Sequence, residues 1–273
     1  MRQNILNTFF GTIDKEKFLL NAKNVIVLFS GGKDCSFLLN GLLQYIDYKK
    51  VNVSLKVLCV PYPKHMYYIN GVETPNFSAI KTYWKNRGVS IDCIDANMDD
   101  LDITQGFGCK TCKKARKEII DPYVNNFPEG TLLFTGFTKY DILAYTTILQ
   151  IATNYDLKSF DLLDRETKTL MIKMLHKFKR KELLPNKKIM VRPLLDFDEN
   201  DIRDYMMKHE IPYINLSCGV SDFKFKRTFF KALALYDHLP VSYDNIITML
   251  DKNGISLDLP FDSMIEDNFF IDC

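Results

Sequence analysis

Apolar positions along the chain alternate between two periods. Asn24–Phe29 (NVIVLF) is a short run rich in β-branched residues, followed directly by Ser30-Gly31-Gly32. From Asp34 the period changes, and Leu38, Leu42, Leu43 and Ile46 fall at helical spacing. Val53–Val60 predicts a second strand, ended by Pro61 and Pro63, and Phe77–Arg87 a helix closed by Gly88. Val89–Ile94 predicts a third strand, Lys113–Ile120 a short helix before Pro122, and Thr131–Thr135 a fourth strand. A helical pattern then runs from Asp141 to Tyr155. Strand, helix, strand at this pitch means βαβ units: an α/β, doubly wound, mostly parallel sheet of about five strands with helices on both faces. No internal repeat or low-complexity tract interrupts it.

Composition narrows the class without naming a partner. At 273 residues, 47% hydrophobic and 26% charged, the chain is neither disordered nor fibrous and is long enough for a full core. No apolar run approaches ~18–20 residues, which removes a helical membrane span. MRQNILNTFFGTIDKEKFLL carries no long apolar segment with a small-residue cleavage site, so a cytoplasmic location is expected. The net charge of +2 hides an uneven division. Lys158–Arg192 holds 11 Lys/Arg against 4 Asp/Glu, whereas 237–273 holds 8 Asp/Glu against one lysine. The basic run reads either as a solvated helix face or as a phosphate-backbone contact surface. The acidic tail reads as a C-terminal cover or an oligomer contact.

The most informative segment is Val25–Ser36. A strand runs into two glycines and a lysine, and a helix starts at once. Glycines let backbone amides approach a phosphate, and a helix N-terminus favours an anion. Lys33 adds positive charge, while Asp34 can reach a Mg²⁺ or cap the helix. The Gly-x-x-x-x-Gly-Lys-Ser/Thr spacing of a Walker A loop is absent. Ser30-Gly31-Gly32-Lys33-Asp34-Cys35-Ser36 instead resembles the Ser-Gly-Gly-x-Asp-Ser signature of the PP-loop ATP pyrophosphatases, the N-type adenine nucleotide α-hydrolases. The resemblance implies a Rossmann-like PP-loop fold with ATP at the carboxyl ends of the strands, where the strand order switches. Cleavage between the α and β phosphates, with AMP passed to a carbonyl oxygen, is the implied chemistry. One departure is Cys35 at the usual serine position, with Ser36 one residue later.

Seven cysteines in a chain with no export signal point to metal or thiol chemistry rather than a disulfide framework. Gly108-Cys109-Lys-Thr-Cys112-Lys113-Lys114-Ala-Arg116 carries a Cys-x-x-Cys, readable as a redox dithiol, half a zinc site or part of an iron–sulfur site. The basic flank and a following helix N-terminus predict lowered thiol pKa values there. Cys218 follows the strand-like Pro212-Tyr-Ile-Asn, Cys59 and Cys93 lie in apolar strands as buried packing residues, and Cys273 is terminal. From Cys109 to Gly219 the chain resembles the TtcA-like tRNA-thiolating enzymes of the 2-thiocytidine and 2-thiouridine type. In that family a Cys-x-x-Cys and a later cysteine bind a [4Fe-4S] cluster. Val191-Arg192-Pro193-Leu194-Leu195, then Asp198-Glu199-Asn200-Asp201-Ile202, then Ile211-Pro212 before Cys218, continue the likeness across roughly residues 21–230. Where the family carries Gly-His-His-x-x-Asp, this chain has Gly136-Phe137-Thr138-Lys139-Tyr140-Asp141, keeping the glycine and the aspartate alone.

Carried over residue by residue, the resemblance implies a sulfurtransferase that releases AMP and pyrophosphate. Ser30, Gly31, Gly32, Lys33, Asp34, Cys35 and Ser36 would hold the phosphates and Mg²⁺; Val60 and Gly136 would border the adenosine; Asp141 would take Mg²⁺ or a ribose. Cys109 and Cys112, with Asp34, would be catalytic, and Cys109, Cys112 and Cys218 would hold the cluster or carry sulfur. A tRNA base is the lead acceptor, reached through Lys177, Lys179, Arg180 and Lys181, with a sulfur-donor protein or sulfide and no membrane partner. A homodimer is also an expectation. The missing histidines leave open the same chemistry on a small molecule, and Cys35 leaves open a non-catalytic nucleotide-binding protein. The expected layout is an N-terminal extension (1–20), a PP-loop domain (21–236) with a basic helical insertion (158–190), and an acidic C-terminal segment (237–273). His65, His176, His209 and His238 show no metal-ligand spacing, and Trp84 reads as core.

Overall fold

The first helix, α1 (Ile5–Glu16), begins at Asn4, whose side chain accepts from the Leu6 N–H, and ends where Lys17 turns left-handed. A computed structural model of the chain describes residues 4–100, 108–216, 218, 225–233, 235 and 241–258. Cys273, His238 and most of the acidic tail lie outside the described residues. After α1 come β1 (Asn24–Leu28), α2 (Lys33–Lys49) and β2 (Ser54–Cys59). A small antiparallel hairpin, β3 (Tyr68–Ile69) and β4 (Val72–Glu73), leads into α3 (Pro75–Lys85), where Thr74 caps the start and Pro75 takes the first turn. β5 (Ile91–Cys93), α4 (Gly108–Asn125), β6 (Leu132–Phe134) and α5 (Lys139–Ala152) follow. The basic region forms α6 (Arg165–His176) and two short strands, β7 (Lys181–Leu183) and β8 (Ile189–Val191), before α7 (Glu199–Lys208), α8 (Phe225–Leu233) and α9 (Tyr243–Lys252).

The main sheet has the order β5-β2-β1-β6-β8-β7. Its first five strands are parallel and β7 closes one edge antiparallel. The doubly wound, mostly parallel α/β architecture read from the sequence is therefore present, with one antiparallel edge strand added. Side chains alternate across it as strand geometry requires. Val25, Val27 and Phe29 face a core shared with α1, α2, α3 and α7, while Ile26 and Leu28 face a second core against α4. A third cluster joins α5, α6 and α9 through Leu149, Leu175, Phe178 and Leu250. Phe9 and Ile13 of α1 lie within the first cluster, and α9 within the third, so the described parts of both terminal segments share the cores of the domain. No described helix is long and apolar enough to cross a membrane.

Two local expectations are corrected. The helix predicted to stop before Pro122 continues through it to Asn125. An internal proline costs a helix about 3 kcal/mol. Ile120 and Val124, 4% and 1% exposed, each return about 1.5–3 kcal/mol on burial, and the Tyr123 hydroxyl donates to Asp92 at 2.6 Å. Pro212–Asn215, read as strand-like from the sequence, joins no sheet; its Ile214 N–H donates instead to the Gly31 carbonyl at 2.7 Å.

Candidate functional site

The sheet order places the site. From β1 the chain winds one way to β2 and β5, then crosses to β6 on the other side of β1. In an open parallel sheet, ligands bind at the carboxyl ends where such a reversal occurs. The turns after β1 (Ser30–Gly32) and after β6 (Thr135–Thr138) meet there. Gly31 has φ +73°, a conformation that costs any other L-residue about 1–2 kcal/mol. Gly32 is the N-cap of α2 and supplies no side-chain cap, so the first turn of that helix has no acceptor from its cap residue. Gly136 presses directly on the same helix start: a Cβ there would sit 2.9 Å from the Cys35 nitrogen and 3.1 Å from the Asp34 carbonyl carbon. The close neighbour that Gly136 admits is thus the α2 backbone.

Cys35 braces the loop from within. Its buried thiol accepts from the Ser30 N–H at 3.3 Å, lies 3.3 Å from Ser30 Oγ and donates to the Gly32 carbonyl at 3.2 Å. Burial pushes its pKa up, which keeps it a thiol. The Tyr67 hydroxyl holds the Ser30 carbonyl at 3.0 Å. Ser36 is fully buried, and its hydroxyl finds no hydrogen-bond partner among the described residues.

Lys33 projects into a group of carboxylates. Its Nζ is 2.6 Å from Glu199 Oε2 and 3.1 Å from Asp34 Oδ2. Glu199 Oε1 in turn lies 3.4 Å from Thr138 Oγ1, and Asp141 Oδ2 accepts from the Thr138 N–H at 2.9 Å in the capping box of α5. A buried pair, Lys139 with Asp198 at 3.0 Å, pins the start of α5 to the start of α7. Burial, with Asp34 and Asp141 close by, raises Glu199 to about 7 even though Lys33 pulls the other way. Lys33 itself is held charged by Asp34 and Glu199 against its own burial. Glu199 is the functional candidate that sequence reasoning passed over; its only signal was an acidic first turn after Arg-Pro-Leu.

The raised Glu199 pKa has a sign. A carboxyl with a higher pKa when folded stabilises the fold fully below its unfolded value and loses that contribution as pH rises through the folded value. Stability from Glu199 should therefore fall between roughly pH 4.5 and 7. Glu199→Gln should flatten the urea-unfolding profile over that window by up to about 3 kcal/mol. An unchanged slope would show that Glu199 ionises normally.

The thiols sit at the same edge. Cys109 and Cys112 are the second and fifth residues of α4, and Cys112 Sγ donates to the Tyr62 carbonyl at 3.9 Å, just past the exit of β2. Val60, at that exit, is buried with Tyr62 and Cys112 in the second core. Cys109 and Cys218 both act electrostatically on Cys112, so the three share one neighbourhood. Among the described residues, no group of three or more His, Cys, Asp or Glu closes around a single point as one metal ion would require. The expected lowering of the thiol pKa is corrected at Cys112: burial raises it, and Arg116 opposes only in part. Cys93 is corrected too, since it is exposed at the end of the edge strand β5 while Cys59 is buried.

The basic insertion is also revised. Arg180, expected on an exposed basic face, is 8% exposed, paired with Glu16 and Asp196 and stacked 4.2 Å from the Tyr243 ring. Arg192 pairs with Glu182 at 3.2 Å, and Glu182 also takes the His176 ring, all three buried. Lys177 lies over the Tyr145 ring and Lys179 reaches Asp258 at 3.0 Å; of the four cations expected to meet tRNA, Lys181 alone is fully at the surface and the other three are buried or half-buried. Phe137, at the first missing histidine, is buried against Tyr145, and Thr138, at the second, is fully buried.

No protein-family model matches the chain, and no curated protein matches it. Among solved structures it is similar to the U34-tRNA thiolase NcsA from Methanococcus maripaludis, solved with its [4Fe-4S] cluster. The two share 19% identity at a TM-score of 0.62, over 90% of this chain and 76% of that one. At that identity the likeness is one of fold, and it agrees with the mostly parallel sheet flanked by helices.

Proposed function

We propose that this chain is an ATP-dependent sulfurtransferase that activates a tRNA base carbonyl and replaces its oxygen with sulfur, releasing AMP and pyrophosphate. One observation carries the reading. The glycine-rich turn leaves β1, the Cys112 sulfur contacts the chain just after β2, and in a parallel sheet both exits lie on one edge. Nucleotide activation and thiol chemistry would therefore face one crevice. The fold shared with a U34-tRNA thiolase supports the same assignment.

The residues present fit ATP. Gly31, Gly32 and the uncapped start of α2 offer amides to the phosphates, and Lys33 offers the countercharge, released from Glu199 as the phosphates arrive. Asp34, Asp141 and Glu199 are the oxygen donors suited to Mg²⁺. Cys109, Cys112 and Cys218 would hold a [4Fe-4S] cluster such as the one in the similar U34-tRNA thiolase, and among the described residues they do not converge on a point as a single metal ion would need. When bound, such a cluster would supply an iron position at which sulfur can be carried. Burial of Cys112 keeps its sulfur away from water, while partial exposure leaves Cys109 and Cys218 accessible.

A second reading has its own support. Arg180 and Arg192 are consumed in buried pairs, and the first histidine position is now an apolar wall, which suits a small heterocyclic acceptor. Nucleoside mass analysis of cells with and without the protein separates the two: loss of one thiolated nucleoside supports tRNA, an unchanged set supports the small molecule. Cys112→Ser is expected to abolish sulfur transfer while leaving ATP-dependent pyrophosphate release within a few-fold of wild type. Loss of both together would argue that Cys112 only holds the fold.

A further inference from the structure

Outside this site, two cysteines that the mechanism does not use stand side by side. Cys59 ends β2 and Cys93 ends β5, and the two are direct register partners. Paired residues on neighbouring strands point to the same face, about 4.8 Å apart, inside the roughly 4.4–6.8 Å that a disulfide spans. Each thiol perturbs the ionisation of the other. Their surroundings differ: Cys59 is 0% exposed, whereas Cys93 opens to solvent on the sheet edge.

We propose that Cys93 and Cys59 form a peroxide-responsive thiol pair, Cys93 reacting first and Cys59 closing an inter-strand disulfide. The charge environment supports that order. The neighbouring Cys59 thiol and the nearby Lys81 ammonium favour the Cys93 thiolate, opposed by partial burial, Glu73 and Asp92, with a net lowering of its pKa. Burial and the thiolate beside it keep Cys59 protonated. Exposed, low-pKa cysteines next to a second thiol are the ones that oxidise reversibly. The chemistry balances with hydrogen peroxide as oxidant. The Cys93 thiolate attacks one peroxide oxygen, an S–O bond forms as the O–O bond breaks, and the hydroxide released takes a proton to become water. The Cys59 sulfur then attacks the sulfenic acid: an S–S bond forms, the S–O bond breaks, and the departing hydroxide takes the Cys59 proton. Two thiols are oxidised and one peroxide is reduced to two waters.

Location gives the pair a consequence. Cys59 shares a core with Tyr67, the residue that holds the Ser30 carbonyl, and β2 is the immediate neighbour of β1. A covalent tie there forms one strand away from the phosphate loop.

The test uses the full-length reduced protein, mild hydrogen peroxide and peptide mapping without reductant; it needs neither ATP nor RNA, so it stands apart from the proposed activity. The expected product is a Cys59–Cys93 cross-linked peptide, two hydrogens lighter, that dithiothreitol reverses. Cys93→Ser should lose the cross-link and leave Cys59 unmodified. Cys59→Ser, or Cys59→Ala if serine disturbs the core, should leave a sulfenic acid at Cys93 that dimedone traps, with circular dichroism confirming the fold. Cys93 remaining reduced while other thiols oxidise would overturn the proposal. So would a sulfenic acid that persists at Cys93 in the unaltered chain, or a cross-link from Cys93 to any other cysteine.

Discussion

Gly136→Ala should reduce ATP-dependent pyrophosphate release by about a hundredfold while the chain still folds. The added methyl would lie 2.9 Å from the Cys35 nitrogen and 3.1 Å from the Asp34 carbonyl carbon. Both are backbone atoms in the first turn of α2, so no side chain can swing aside. Overpacking of this kind costs about 1–3 kcal/mol, which a domain of this size survives. The functional cost is larger because relief comes by displacing the turn proposed to hold the phosphates, and a shift of about 1 Å in a positioning group can cost 10²-fold. Gly31→Ala makes a useful contrast: its methyl would meet the movable end of Ile214 at 2.8 Å, and its penalty comes mainly from the positive φ. Pyrophosphate release and urea unfolding, measured on both variants, check the argument. Wild-type turnover in Gly136→Ala would show that the α2 start does not position the nucleotide.

Lys33→Met should abolish pyrophosphate release and also change how stability responds to pH. Lys33 is the cation between Asp34 and Glu199, at 3.1 Å and 2.6 Å, with its side chain 22% exposed. Removing one partner of such a pair leaves charge buried without compensation, worth on the order of 3 kcal/mol. Glu199, already raised to about 7, then loses its attractive partner and rises further. The carboxyl is therefore protonated in the folded variant at neutral pH, and the penalty grows as pH climbs past 7, where ionisation can no longer be avoided. Urea midpoints of Lys33→Met and wild type should run close together near pH 5 and separate steadily toward pH 9. Parallel curves would mean that Lys33 does not neutralise these carboxylates in the absence of nucleotide.

The parts of this site readable in advance are those written in consecutive residues. A β-branched run, two glycines and a helical period are local properties, and Asn24–Ile46 carries all three. The Cys-x-x-Cys was visible for the same reason. What stayed hidden depends on which distant groups burial brings together. Glu199 meets Lys33 across 166 positions of chain, so its raised pKa belongs to the packing of α7 against α2. The basic insertion misled because charge counts do not show pairing: Arg180 and Arg192 look like their exposed neighbours in sequence yet are held by Glu16, Asp196 and Glu182. Pro122 misled in the opposite sense, since a local penalty was outweighed by the core that Ile120 and Val124 fill. Cys93 reads as apolar strand, but only the sheet order places that strand at an edge.

The hydrogen bond from the Ile214 N–H to the Gly31 carbonyl acts as a tether. Cys218 lies four positions after Ile214, and an extended chain advances at most about 3.3–3.6 Å per residue. From the anchored Ile214, the Cys218 backbone can therefore reach no farther than about 14 Å. The third thiol is on a short leash whose fixed end is the glycine turn after β1, so whatever moves Gly31 moves the anchor. Lengthening the leash by one or two residues between Ile214 and Cys218 would widen that radius while leaving the turn and both ends of the tether chemically intact.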